Sequence, residues 1–122
     1  MGIIFNFEKL DVWQRSKDLY CFIFKLTNNY PTEEKYNLIS QMRRCALFVS
    51  SNIAEGSARQ TSKDKNHFYT MAYSSLMELV NQAIISFEFK FVNEKELTKV
   101  KDESLIIAKM LSNLKKSNQD NL

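Results

Sequence analysis

Residues 51–60, SNIAEGSARQ, bring an amide, a carboxylate and a guanidinium into one short stretch. Gln41, Arg44, Asn52, Glu55 and Arg59 recur near steps of three or four, so on a helix several of them can join one ladder of hydrogen bonds. Two chemistries suit that set. In the structural one, Asn52 fixes helix register from a polar position in an apolar seam, and Glu55 pairs with a basic group on its own or a neighbouring helix. In the binding one, Arg43, Arg44 and Arg59 with Lys63 and Lys65 build a basic patch at one end of the domain that grips phosphate. Mixed charge on a helix face is ordinarily solvated, which favours the structural reading.

Catalytic chemistry finds little material. His67 is the only histidine, which excludes a multi-histidine metal site and suits an exposed polar residue in the first turn of a helix. No Glu-x-x-His pair of the di-iron bundle type occurs. Cys21 and Cys45 have neither CxxC nor Cys/His spacing, so they read as buried, reduced thiols of a cytoplasmic protein rather than a zinc site or disulfide framework. The expectation is a non-enzymatic protein with no cofactor and no metal. Trp13 and the Phe and Tyr residues follow helical period and read as core rather than as base-stacking platforms.

The elements that position these residues are helices. With only 2 Gly and 1 Pro among 122 residues, the chain has almost no material for hairpins or phosphate loops. Its length, 44% hydrophobic and 25% charged residues fit one globular domain, residues 1–122. Val12, Ser16, Leu19, Ile23 and Leu26 form the seam of a helix over 10–29. Pro31 breaks it, and Thr32 is the expected N-cap of a second helix over 32–57. That helix has a seam of Leu38, Met42, Cys45, Val49, Asn52 and Gly56, which puts Asn52 towards the core. Gly56 either permits close backbone approach or begins the exit of the helix.

Thr61 or Ser62 caps a third helix over 62–92, apolar on two stripes, one through Phe68, Ala72 and Leu79 and another through Tyr73, Leu76 and Ile84. A helix apolar on two sides needs covering on two sides, the second of which another subunit can supply. Asn93 begins a fourth helix over 94–116, seamed by Leu97, Val100, Ser104, Ile107, Leu111 and Leu114, and the tail beyond it is expected to fray. Long helices with short connections predict an all-α, antiparallel up-down-up-down four-helix bundle. The amino terminus has no basic leader, and the apolar stretch 68–92 carries too many polar residues to span a bilayer, so no membrane partner is expected. A net charge of +3 leaves the partner open.

Four segments then add up to a family pattern: LDVWQ at residues 10–14, PTEEKYNLISQMRR at 31–44, NIAEG at 52–56 and AYSSLME at 72–78. Over most of its length the chain resembles the bacterial four-helix bundle proteins encoded in intervening sequences of 23S ribosomal RNA genes. Bulky Phe48 and Val49 stand where small residues are common in that family. The resemblance implies a left-handed bundle that assembles into a ring-like homo-oligomer, a pentamer. The chain is also similar to the accessory proteins of diversity-generating retroelements, which implies RNA or an RNA-bound protein such as a reverse transcriptase as a partner. A protein adaptor without nucleic-acid binding is the alternative. Carried over position by position, Gln41, Asn52, Glu55, Gly56 and Glu78 form a structural polar motif, and Trp13, Gln14, Pro31, Glu34, Tyr36, Arg43, Arg44 and Ser75 also match. Their implied roles are structural or interfacial.

Overall fold

A computed structural model describes residues 2–120, the last by its backbone alone. Four α-helices build it: α1 (Asp11–Thr27), α2 (Ser40–Ser57), α3 (Ser62–Glu88) and α4 (Glu94–Asp120). Each packs on its neighbours in sequence, and α4 returns to α1, most thinly of the four interfaces. At one pole Tyr30 Oη and Ser86 Oγ both reach Met42 Sδ, at 3.4 and 3.6 Å, joining the end of α1, the start of α2 and the end of α3. At the other pole Asn66 Nδ2 donates to the Lys115 carbonyl at 3.1 Å, setting the start of α3 beside the end of α4. Neighbouring helices therefore run antiparallel, as their short connections require.

The core follows most of the expected seams, with Leu38, Asn52 and Leu114 only half-buried. Val12, Ser16, Leu19, Ile23 and Leu26 of α1 are buried, as are Leu97, Val100, Ser104, Ile107 and Leu111 of α4. Buried hydroxyls on α1 and α3 find partners within their own helices: Ser16 donates to Val12 O, Thr27 to Ile23 O and Ser86 to Gln82 O, all within 2.8 Å. Such bonds let small polar residues sit among apolar ones without an unmet donor.

In the α2–α3 interface, the most extensive of the four, Gly56 lies directly against α3. A Cβ there would lie 2.8 Å from Tyr69 Cε1 and 3.0 Å from Phe68 Cβ, so of the two roles open to Gly56 the geometry selects close backbone approach. Asn52, expected on the core seam, is only half-buried, and its Nδ2 donates to the Phe48 carbonyl of its own helix at 2.9 Å. It lies beside the seam because the buried line of α2 runs through Val49, Ile53 and Gly56 instead.

Helix ends hold further corrections. Thr32 is not an N-cap: Pro31 takes that position without a side-chain bond, and a 3-10 turn (Thr32–Glu34) and a π turn (Lys35–Ile39) lead into α2. Thr61 does cap α3, accepting from Asp64 N, and Asn93 and Glu96 exchange reciprocal bonds of 2.9 and 2.8 Å in a capping box at α4. α3 stops at Glu88 rather than residue 92. There Lys90 adopts φ 63, Phe91 N donates to Ser86 O and Lys90 N to Phe87 O, the paired bonds of a Schellman motif with lysine where glycine is usual. The tail of α4, expected to fray, stays helical to Asp120, its last turns tied through Asn118 to Asn66 at 2.8 Å; the remaining residues lie outside the described range.

Cys21 is exposed, against the expectation of burial, whereas Cys45 is buried. The surface also takes aromatic residues read as core, since Phe24, Phe48 and Tyr73 are all exposed.

Two substitutions test these geometries by urea unfolding. Gly56→Ala is expected to lower stability by about 1–3 kcal/mol, because Tyr69 and its helix must shift to admit a methyl group. Lys90→Gly is expected to raise it by about 1 kcal/mol, through relief of a left-handed backbone on a residue with a Cβ.

Candidate nucleic-acid interface

The five basic residues singled out by spacing do not meet. Arg43 turns inward to α1: its guanidinium lies 3.9 Å over the Phe24 ring, Nε donates to Thr27 Oγ1 at 2.9 Å, and Nη2 donates to Asn28 Oδ1 at 2.9 Å and Phe24 O at 3.3 Å. It closes the carboxyl end of α1, where a cation complements the helix dipole. Arg44 is exposed and rests over Phe48 at 4.8 Å. Arg59, over Phe68 at 4.5 Å, lies about 23 Å further along the direction of α2 at 1.5 Å per residue.

Arg59 does share its pole with Lys63 and Lys65 of the first turn of α3. Lys63 is exposed, while Lys65 Nζ donates to Ser57 O at 3.0 Å and so helps close the end of α2. The fold adds two cations there. Lys115 and Lys116 come beside Asn66 because α4 persists through its last turns. Sequence reasoning missed them by treating their segment as frayed; the paired lysines after Leu114 were the signal. The basic pole is therefore Arg59, Lys63, Lys115 and Lys116 with the engaged Lys65, and Arg43 and Arg44 stand apart from it.

Apart from the buried Gly56, the polar motif spreads over the outside of the α2–α3 pair. Gln41 and Glu55 are exposed, and Glu55 has no salt bridge; the described ion pairs are Arg15–Glu103 at 3.5 Å and Lys17–Asp18 at 3.9 Å. No ladder links Glu55 to the arginines. Asn52, Glu55 and Ser75 instead line a groove of about 590 Å³ between α2 and α3, with Phe48 and Met71 as its apolar parts and the exposed His67 at its edge. Above it Cys45 donates its thiol to Glu78 Oε2 at 3.3 Å and accepts from Gln82 Nε2 at 3.5 Å, while Gln82 Oε1 is buried without a partner. Burial first, and the neighbouring Glu78 carboxylate second, push the Cys45 thiol up to about 11. Such a thiol is a poor nucleophile. A second groove, about 720 Å³ between α1 and α4, mixes Leu19, Phe22 and Ile106 with Asp18, Lys99 and Glu103. Among the described residues no group of three or more His, Cys, Asp or Glu is placed to hold a metal, and no helix is long and apolar enough to cross a membrane.

The two thiols should differ sharply towards a neutral-pH disulfide reagent: Cys21 reacts quickly and Cys45 only after denaturation. Because the folded protein holds the Cys45 proton above the ordinary thiol value of 9.0, its contribution to stability is complete below pH 9 and is lost as the pH rises towards about 11. Unfolding measured from pH 8 to 11 should show wild-type stability falling more steeply than that of Cys45→Ala. Equal slopes would place the thiol's titration elsewhere.

Comparison with known proteins follows the same outline. A crystal structure of a protein of unknown function from the S23 ribosomal protein family of Bacteroides thetaiotaomicron superposes with a TM-score of 0.80 at 19% identity, covering 86% of this chain and 95% of the other. At that identity the likeness concerns the fold. No curated protein matches. The model of the 23S rRNA-intervening sequence protein family matches residues 8–113, which takes in all of α1, α2 and α3 and most of α4. The chain belongs to the 23S rRNA-intervening sequence protein family.

Proposed function

We propose that this protein is a non-enzymatic scaffold that works as an assembly of identical copies and associates with RNA through its basic pole. The observation that carries the reading is the uncovered apolar surface of the outer helices. Tyr73, Met77 and Ile84 lie at steps of four and seven along α3 and are exposed, and Leu105 and Ile106 of α4 are exposed as well. One chain covers the first stripe of α3 and buries Leu76 of the second, but leaves Tyr73 and Ile84 exposed. Contiguous apolar surface of this kind marks contact with another macromolecule, and a further copy is the partner that is always present. Family resemblance sets the expected number at five. The nucleic-acid part rests on the pole where Arg59 of the α2–α3 connection, Lys63 of α3 and Lys115 and Lys116 of α4 gather. Assembly repeats that pole on every copy, which multiplies weak phosphate contacts.

The α1–α4 groove supports a second reading, that of a protein adaptor. It alternates acids and bases over an apolar floor, a surface suited to a peptide and poorly suited to a polyanion.

Light scattering at micromolar concentration should give a mass several times the 14.3 kDa of one chain. A monomer would remove the assembly. Anisotropy titration of a structured RNA at several salt concentrations should give a negative slope, and Arg59→Ala/Lys63→Ala should flatten it by about 1 for each phosphate no longer neutralised. Arg43→Ala is expected to destabilise the fold instead. Absence of binding at low salt would move the assignment to the adaptor.

A further inference from the structure

We propose that residues 3–5 form an exchange arm, which docks in the α2–α3 groove of a second copy. This rests on the reading of the protein as an assembly of copies and names one contact that would hold it. Ile3, Ile4 and Phe5 are consecutive and are 86%, 61% and 63% exposed, a run of large apolar side chains that their own chain leaves mostly uncovered, Phe5 alone stacking on Phe7 at 6.3 Å. The root of the arm is fixed. Phe7 sets its ring edge-on to Trp13 at 5.0 Å, Gln14 Nε2 donates to Glu8 O at 2.8 Å, and the 3-10 turn Asn6–Lys9 packs on α2.

The tip is not fixed. Among the described residues, Gly2, Ile3 and Ile4 make no backbone hydrogen bond, and the first is the amide of Phe5 to Glu8 Oε2 at 2.7 Å. A segment outside any helix with free amides and carbonyls needs partners for them, and the described residues form no sheet edge to offer.

The α2–α3 groove answers each requirement. From Phe48 to Glu55 it runs roughly two turns of helix, about 10 Å, and three extended residues span roughly 10 Å. Its floor holds Phe48 and Met71, which suit the side chains of Ile3 and Phe5, since alternate residues of an extended strand point the same way. Its rim carries Ser51, Asn52, Thr70, Ser74 and Ser75, short donors and acceptors placed for a peptide backbone. The arm itself carries no charge, and the charges of the groove stand at its ends, Arg44 over the Phe48 ring at 4.8 Å and Glu55 exposed at the rim.

The test uses the full chain. In Ile3→Asp/Ile4→Asp the core is untouched, so far-ultraviolet helicity should be unchanged while association, measured by light scattering over a dilution series, weakens about 100-fold. In a Cys21→Ser background, Ile3→Cys and Ser74→Cys made on separate chains should give, when mixed and oxidised, a covalent dimer well beyond that of either alone. Assembly that survives both aspartates would overturn the arm and leave the scaffold reading intact. A monomeric wild type would overturn both. A disulfide that forms only when both cysteines share one chain would place the arm in its own groove and overturn the exchange.

Discussion

Everything in this bundle is arranged around the place where α2 and α3 come close, and that approach depends on the missing side chain of Gly56. Tyr69, buried at 4% exposure, occupies the space where a Cβ would stand. Along the rest of the same interface Ile53, Val49, Met42, Leu76 and Leu79 fill the core with fully buried side chains. α4 then covers α3, and α1 completes the ring over α2. The α2–α3 groove is the outer side of the same packing, so the residues that line it are held by the tightest part of the core.

Outside that core the protein treats its aromatic residues in an unusual way. Arg43 over Phe24, Arg44 over Phe48, Arg59 over Phe68 and Lys99 over Phe22 set a cation on a ring at distances from 3.9 to 5.3 Å. At exposed sites each such pair contributes roughly 0.5–1 kcal/mol. They shield part of a surface that is otherwise rich in large apolar groups, and they fix the cations in place. A basic residue held flat on a ring presents its remaining donors in one direction. Arg43 is the limiting case, with its donors spent on the end of α1.

On the scaffold reading proposed above, function lies in surfaces. The one perturbed thiol, Cys45, is moved away from reactivity, and its carboxylate neighbour Glu78 deepens that effect. Three surfaces remain distinct: the basic pole, the apolar outer face of α3 and α4, and the α2–α3 groove with its mixed apolar floor and polar rim. Each is formed by residues from at least two helices. A change that alters helix packing therefore reaches all three, whereas a change at one exposed side chain reaches only its own.

Periodicity by itself determined the helices, their order and most of the buried seam, because a 3.6-residue repeat of apolar positions has one compact solution in a chain with 2 Gly and 1 Pro. The cap at Asn93 was equally legible, and that of α3 to within the pair Thr61 and Ser62, since capping is a local bond between residues three apart, whereas Thr32, expected to cap α2, lies in the turns that precede it. The family pattern was legible too, from the order of its motifs. What only the tertiary structure decided was which side of a seam a residue takes and which distant residues meet. Asn52 fell beside the core because crossing helices define the buried line, not the ladder of one helix. Arg43 and Arg44 left the basic pole because they lie near one end of α2 and Arg59 lies beyond the other. Lys115 and Lys116 joined it because Asn66, far away in sequence, holds the end of α4. Local spacing carries no information about such contacts; they arise when the helices close on one another.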